Sequence, residues 1–526
     1  MNQRERQRKD TNMPDITVAG SGSAGVIDGY SRLRAPGEIQ GFGSMLTLHP
    51  KTLRVLSASE NVSTELGTPH ASILGRPLFD LIQGDEAVAH IKDAAGNPEP
   101  VFENPMTVMV GGRRFDLIMH AHDGVIIAEF EKLPPGAATR ADMDRLSEEA
   151  IIGMMVPSTL EELLDAGPQA IRTATDFDRV LLYQFDDAYR GQVVGEACRP
   201  GIEGFMGLFF PENDIGAPAR QIYTENFCRY IPQIGAPTSR MVPAENPLTN
   251  RPLDMSPAGL RAVVPCHVDY LANMGVTASM SFSIVVEGKL WGLFACHHYS
   301  PSQLSFTQRR VCEQIAMMFA AKFEELVNPA AVEEDMLARR EAVLKSSPLC
   351  KGNPLKQNWD PASEKALLAL VNAEGASIYI DGEVGEIGTC PDLSDLHAFI
   401  ENKPDEFDRL LRMYDEDGLF YTSSIASVLP FGDRMREKGS GVMVIPLARG
   451  RREFLLWFRP ELVVKATWAG NPSDSRVKDH NARFSPRKSF AAWKEDIRDR
   501  SEPWTKLDIA NATALRDHVT VGSAVG

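Results

Sequence analysis

Cysteine and histidine stand side by side twice in this chain, as Cys266-His267 and as Cys296-His297-His298. Thiolate and imidazole together can make a zinc ligand set, or a nucleophile with its base. The spacing speaks against both. Pro265 suits the first position of a short helix ending at Gly275, which turns Cys266 and His267 about 100° apart. On a strand, Cys296 and His297 point to opposite faces. The usual zinc spacings are absent and no oxyanion-hole motif accompanies either cysteine. The ordinary reading is a small buried thiol beside a core histidine. One further feature stands out. Cys266 and Tyr270 are i, i+4 neighbours and His267 and Tyr270 are i, i+3 neighbours, so thiol, imidazole and phenol line one broad stripe. That stripe suits a large, flat, partly polar ligand.

The elements that must position these residues form blocks along the chain. Residues 1–26 are polar and rich in Gly and Ser, a flexible arm. Residues 27–135 carry short strands such as Met45–Leu48, Leu53–Leu56 and Val125–Phe130, the plan of a small α+β domain. A second block opens on a helix whose capping box is Ser158 with Glu161, backed by Leu160, Leu163 and Leu164. Strand Arg179–Phe185 follows, and later a hairpin, Ser279–Val286 and Lys289–Tyr299, turning at Glu287-Gly288. Val311, Ile315, Met318, Phe319 and Leu326 recur at helical spacing after it. Pro329 and the charged stretch Val332–Leu344 continue this helix, kinked or interrupted. Residues 361–515 repeat the scheme with helix Ala362–Val371, strand Ser377–Ile380 and a hairpin of Val442–Leu447 and Phe454–Phe458.

Composition closes off several classes. The 526 residues predict about three or four domains at roughly 150 residues each. Lys plus Arg is 55 against 71 for Asp plus Glu, a net charge of −16, which repels nucleic acid and anionic membranes. No run reaches the ~18 apolar residues of a membrane span. The first ten residues precede no apolar segment of a secretory signal, and seven scattered cysteines make no disulfide framework. A cytoplasmic protein with reduced thiols is expected, bound to neither nucleic acid nor membrane.

Leu260–Gly275, Ser279-Met-Ser281 and Gly288–Tyr299 together strongly resemble the GAF domain of phytochromes. Trp457–Glu461, Trp468–Gly470 and Pro486–Phe490 look like the tongue hairpin of the PHY domain. The resemblance covers nearly the whole chain. It implies an α+β, three-domain PAS–GAF–PHY photosensory module on a helical spine: PAS at 27–135, GAF at 145–328, a linking helix at 329–346, PHY at 347–515 with its tongue at about 447–493, and a tail at 516–526. It implies a red/far-red photoreceptor rather than an enzyme, holding a linear tetrapyrrole and isomerising its C15=C16 bond. The alternative is a PAS–GAF small-molecule sensor without pigment.

Carried over residue by residue, the resemblance makes Asp214 the acidic residue facing the pyrrole N–H groups and His267 the imidazole beside them. His297 stands near the D-ring carbonyl, with Tyr183, Phe210 and Tyr270 as the aromatic box. Arg229, Arg261, Ser279 and Ser281 hold the propionates, and Arg487, Ser489 and Trp468 belong to the tongue switch. The direction of His297 depends on hairpin register. A two-residue loop puts it on the Met280 and Phe282 face, a three-residue loop on the Ser279 and Ser281 face, and the family pocket needs the second. The sequence departs from the pattern in several places. Asp28 occupies the place of the cysteine that usually anchors biliverdin in bacterial members, Gly41-Phe-Gly43 replaces Pro-His-Gly, Gly216 replaces a proline, and Val264 a serine. Cys266 matches instead the anchor of cyanobacterial and plant phytochromes, implying a covalent phycocyanobilin-type bilin, with biliverdin as the alternative. The expected partners are the bilin, a second copy in a homodimer, and a downstream kinase or response regulator.

Overall fold

A computed structural model describes residues 33–133, 140–186, 189–327, 349, 354–357, 359–401, 419–429, 432–448, 452–471, 477–478, 484–485, 490 and 492–522. The N-terminal arm, the linking stretch 329–346, Arg487 and Ser489 lie outside the described residues.

Alternating patterning builds the first domain. Strands Gly43–Leu48, Val55–Ser59, Met106–Val110, Arg113–His122 and Val125–Lys132 pair antiparallel. Helix Asp85–Ala95 covers one face, where Leu46, Ile91, Phe115 and Phe130 are buried together. The sheet does not end with its own strands. Thr238–Val242, from far along the chain, pairs with Val55–Ser59, and Glu38–Gln40 pairs outside it. The Glu38–Gln40 segment is also gripped on its other side. Gln40 N–H donates to the Leu260 carbonyl at 2.7 Å, and Ala262 N–H to the Glu38 carbonyl at 3.1 Å.

The second domain supplies six strands of an eight-stranded sheet, in the order Cys228–Ile231, Ala278–Val286, Lys289–His298, Arg179–Phe185, Gly191–Cys198, Leu208–Phe210. Helices Arg140–Met155, Leu160–Thr175 and Phe306–Val327 pack over one face, burying Leu163, Ile171, Phe282, Phe294 and Phe319. The capping box lies one residue later than expected. Thr159, with extended backbone, accepts from Glu162 N–H at 3.2 Å, and Glu162 reaches back to the N–H groups of Ser158 and Thr159. Val311 and Ile315 are buried and Met318 and Leu326 pack against the same core, so this stripe serves the domain itself.

The third domain has a five-stranded antiparallel sheet: Glu383–Gly388, Gly375–Ile380, Glu453–Arg459, Gly441–Pro446, Phe420–Thr422. Trp457 is fully buried against one side, with its indole N–H on the Leu367 carbonyl at 3.2 Å. The stretch expected as a polar tail is part of helix Lys506–Gly522, because Leu515 and Val519 are buried in this core. From the same domain, Val464–Ala469 and Ala492–Ile497 form an antiparallel hairpin that joins the second domain's sheet. Thr467 and Trp468 pair in parallel with Leu208 and Phe209.

Candidate functional site

Sheet register decides which side chains share the face away from the helix bundle. Ser279 lies directly opposite His297, Ser281 opposite Ala295, and Arg229 opposite Ser281. On the other side of the same strand, His297 pairs with Arg179 and Leu293 with Tyr183. Side chains alternate, so Arg179, Tyr183, His297, Ser279, Ser281 and Arg229 occupy one face, and Val180, Cys296, Met280 and Phe282 the core face. The hairpin loop itself has two residues, Glu287 and Gly288, both at positive φ (49° and 75°), as a type I′ turn requires. A bulge then shifts the pairing between Ile284 and Val285, with Ile284 opposite Gly292. This extra residue restores the register that a three-residue loop would have given, and His297 joins the serines.

Aromatic rings close one end. Tyr183 and Phe210 are 6% and 3% exposed, with ring centroids 5.5 Å apart. Gly191 explains the position of Tyr183: a Cβ there would sit 1.6 Å from the ring, so only glycine admits it. The opposite wall is helix Pro265–Asn273 with the short turn Glu212–Ile215. His267 stacks on Tyr270, centroids 6.1 Å apart and planes within 9°, and the Tyr270 hydroxyl donates to Asp214 Oδ2 at 3.0 Å. Cys266, the second helical residue, is exposed and in no disulfide. Cys228, Cys296 and Cys312 are the opposite case, since burial pushes all three thiols up.

Electrostatically the site is cationic and short of counter-charge. Arg229 donates Nη2–H to the Arg261 carbonyl at 2.7 Å, and its buried Nη1 has no hydrogen-bond partner among the described residues. Arg261, 6% exposed, spends Nη1 on the Leu33 carbonyl, and its Nε has no partner among the described residues. Burial, then the neighbouring Arg261, pulls Arg229 down to about 9. Desolvation holds His267 at about 4 and His297 at about 3, so both are neutral imidazoles near neutral pH. One buried and one half-buried guanidinium with buried N–H donors to spare are a carboxylate site by chemistry.

Family models match the chain in three consecutive parts: a PAS fold over 30–133, a GAF domain over 159–323 and a phytochrome region over 359–522. The chain is 31% identical over 509 residues to a bacteriophytochrome of Xanthomonas campestris pv. campestris, covering 92% of this chain and 76% of that protein. It belongs to the phytochromes. Cyanobacterial phytochrome B of Nostoc sp. is 31% identical over 499 residues, covering 93% of this chain and 64% of that protein. The chain thus spans under two thirds of that relative's length. The crystal structure of a bacteriophytochrome from the photosynthetic bacterium R. palustris matches with a TM-score of 0.79 at 31% identity, covering 93% of this chain and 97% of that one.

Of the residues expected from the phytochrome resemblance, Tyr183, Phe210, Arg229, Ser279, Ser281 and His297 share the pocket face, and Asp214, His267 and Tyr270 form its opposite wall. Trp468 instead pairs with Phe209, one residue from Phe210, and so faces the other side of the sheet. Arg487 and Ser489 lie outside the described residues. Trp468 is 5% exposed, with its ring 5.8 Å from Phe209, and Phe490 meets Tyr270 edge-on at 5.2 Å. Val264 is the N-cap of the Cys266 helix and makes no side-chain cap bond, where a serine would. Gly216 holds φ −64°, a value proline also adopts, so its replacement of proline leaves the turn intact. One residue of the pocket face escaped sequence reasoning. Arg179 stands two and four residues before Leu181 and Tyr183 on the same strand, a period-two signal for the same face.

Proposed function

We propose that this chain is the photosensory part of a red/far-red light receptor, and that its GAF pocket holds a phycocyanobilin-type linear tetrapyrrole through a thioether to Cys266. The observation that carries the reading is the pair of guanidinium groups, half-buried Arg229 and buried Arg261, each with a buried N–H donor that has no partner among the described residues, beside a face bearing Ser279, Ser281 and His297. Such a set suits a dicarboxylate ligand with a flat conjugated body. The bilin supplies light-driven isomerisation about C15=C16 when bound. Arg229 and Arg261 bind propionates, Ser279 and Ser281 donate hydroxyl protons to them, and Tyr183, Phe210 and Tyr270 enclose the ring that turns. Asp214 and His267 line the pyrrole side.

Cys266 is the nucleophile. Its helix start favours the thiolate, whereas His267 is held neutral and contributes a hydrogen-bonding ring rather than a positive charge. Biliverdin is the alternative ligand. The receptor acts as a cytoplasmic homodimer upstream of a kinase or response regulator. The face for a second copy is the one bearing Ile152, Met155 and Val156, which are 63%, 69% and 73% exposed.

Assembly of the full chain with phycocyanobilin, in parallel with biliverdin, tests the reading. The expected result is a red-absorbing adduct that survives denaturation, fluoresces with zinc and interconverts reversibly under red and far-red light. Cys266→Ala is expected to lose all covalent pigment. A colourless protein, or pigment with no photoreversible difference spectrum, overturns the receptor; covalent pigment on the alanine variant moves the anchor elsewhere.

A further inference from the structure

Arg179 is 2% exposed, and no carboxylate is hydrogen-bonded to it among the described residues. Its guanidinium lies 3.9 Å over the ring of Phe205 and donates from Nη1 to the Glu203 carbonyl at 2.9 Å. The loop carrying both partners is itself fixed. Glu196 accepts from Phe205 N–H at 2.7 Å and from Met206 N–H at 3.1 Å. The cation also lies 5.8 Å from the ring centre of Tyr299, and its other hydrogen-bond contact is Nη2 to His297 Nδ1, at 3.3 Å across directly paired residues of adjacent strands.

A guanidinium has donors only and stays protonated. Nδ1 of His297 must therefore be the acceptor, which leaves the single ring proton on Nε2. We infer that Arg179 is a positioning residue that fixes His297 as its Nε2–H tautomer, so that the histidine presents a hydrogen-bond donor to a carbonyl group of the pocket ligand. The inference rests on the bilin reading only for the identity of that carbonyl. The tautomer is a property of the protein. A second proton on the ring is opposed by burial and by the neighbouring charge of Arg179. Arg179 thus does two things at once: it repels imidazolium and selects one of the two neutral rings. The Glu203 carbonyl, the Phe205 face and the Nδ1 lone pair offset part of the cost of burying this cation, whose Nε has no hydrogen-bond partner among the described residues.

Nitrogen-15 spectra of the histidine-labelled full chain without bilin test this, with His297 assigned by the signals that vanish in His297→Gln. The wild type is expected to show a protonated Nε2 and an unprotonated Nδ1. Arg179→Met is expected to shift part of the population to the Nδ1–H ring, and Arg179→Lys, which keeps a cationic donor, to restore the original pattern. A proton on Nδ1 in the wild type overturns the inference, as does an unchanged tautomer in Arg179→Met. The wild-type spectrum decides even if Arg179→Met does not fold. With phycocyanobilin attached, Arg179→Met is expected to keep its covalent yield while photoconversion falls several-fold; full photoconversion counts against the role of the donor. Failure of the wild type to bind pigment overturns the receptor reading and leaves the tautomer result standing.

Discussion

The GAF domain is joined to its two neighbours in very different ways. Toward PAS, a whole GAF strand, Thr238–Val242, is built into the neighbouring sheet, and Glu38–Gln40 is paired on both sides. Gln40 donates its side-chain amide to the Tyr230 carbonyl at 3.0 Å, and the buried Arg309 of the long GAF helix pairs with the buried Glu131 of the PAS sheet. Toward PHY, the contacts among the described residues include a short parallel pairing at Thr467 and Trp468, Ala469 buried beside Tyr183 and Phe210, the Tyr270–Phe490 edge contact and a 3.9 Å ion pair between Arg500 and Asp186. The first junction cannot open without breaking two strand pairings of the seven-stranded sheet. The second, among the described residues, is bridged by a single short strand pairing and can part with few backbone bonds lost. A pocket fixed on one side and lightly closed on the other can report a change inside it through the light side.

The largest effect is expected at the fixed junction. Glu131→Ala leaves the Arg309 guanidinium buried without its carboxylate, which is expected to cost about 3–5 kcal/mol of stability. Asp116, across the ladder from Glu131 and itself raised by burial, is too desolvated to take over the whole charge. Urea unfolding followed by fluorescence measures this. A change below about 1 kcal/mol would reduce the pair to the value of a surface bridge and remove the asymmetry between the junctions.

The pH response comes next and separates pocket from junction. His267 and His297 have folded values depressed to about 4 and about 3 by burial. A buried neutral histidine contributes stability above its unfolded value near 6.5, and that contribution is lost as pH falls toward the folded value. Between about pH 7 and about pH 5 the pigment-free protein is expected to lose roughly 2 kcal/mol for each of the two rings. His267→Gln is expected to remove about half of that acid sensitivity. A urea midpoint independent of pH over this range refutes the burial of both imidazoles.

How much of this was legible beforehand follows the physics of range. Face assignments within one element were readable: Ser279 and Ser281 at i, i+2, and His267 with Tyr270 at i, i+3, depend only on local periodicity. The domain order came through long motifs such as Leu260–Gly275. Register between strands was not readable. Whether His297 met the serines turned on a bulge beside Gly292, where the backbone of Tyr183 would lie 2.3 Å from a Cβ. Arg179 and His297 are 118 residues apart, and nothing in either segment encodes their pairing. The strand Thr238–Val242 in the PAS sheet is the same case: a strand's own pattern shows that it pairs, not with what.

A smaller effect is expected at the pocket's inner wall on its light side. Asp214→Ala removes the acceptor of the Tyr270 hydroxyl, a bond worth about 0.5–1.5 kcal/mol. Attachment at Cys266 lies elsewhere and is expected to persist, while photoconversion amplitude falls and the lit state shortens. Full amplitude with parental reversion kinetics would show that Asp214 plays no part in holding the tongue.

The smallest change in global stability, and the most telling, is expected at Trp468. Truncating a buried tryptophan to alanine in a cooperative core costs about 3–5 kcal/mol. Trp468 is buried, yet its indole N–H has no hydrogen-bond partner among the described residues, a penalty its packing must offset. Its neighbour across the hairpin, Trp493, is 48% exposed, so the layer is thin. A thin hairpin held by few bonds opens locally at less than the global free energy. Trp468→Ala is therefore expected to change the urea midpoint by less than about 1 kcal/mol, while amide exchange accelerates across Val464–Ala469 and Ala492–Ile497 and stays unchanged in Thr238–Val242. The opposite pattern, a core-sized loss with no faster exchange in the hairpin, would make the tongue an integral part of the GAF core. It would then have to break as much structure as the PAS junction in order to move.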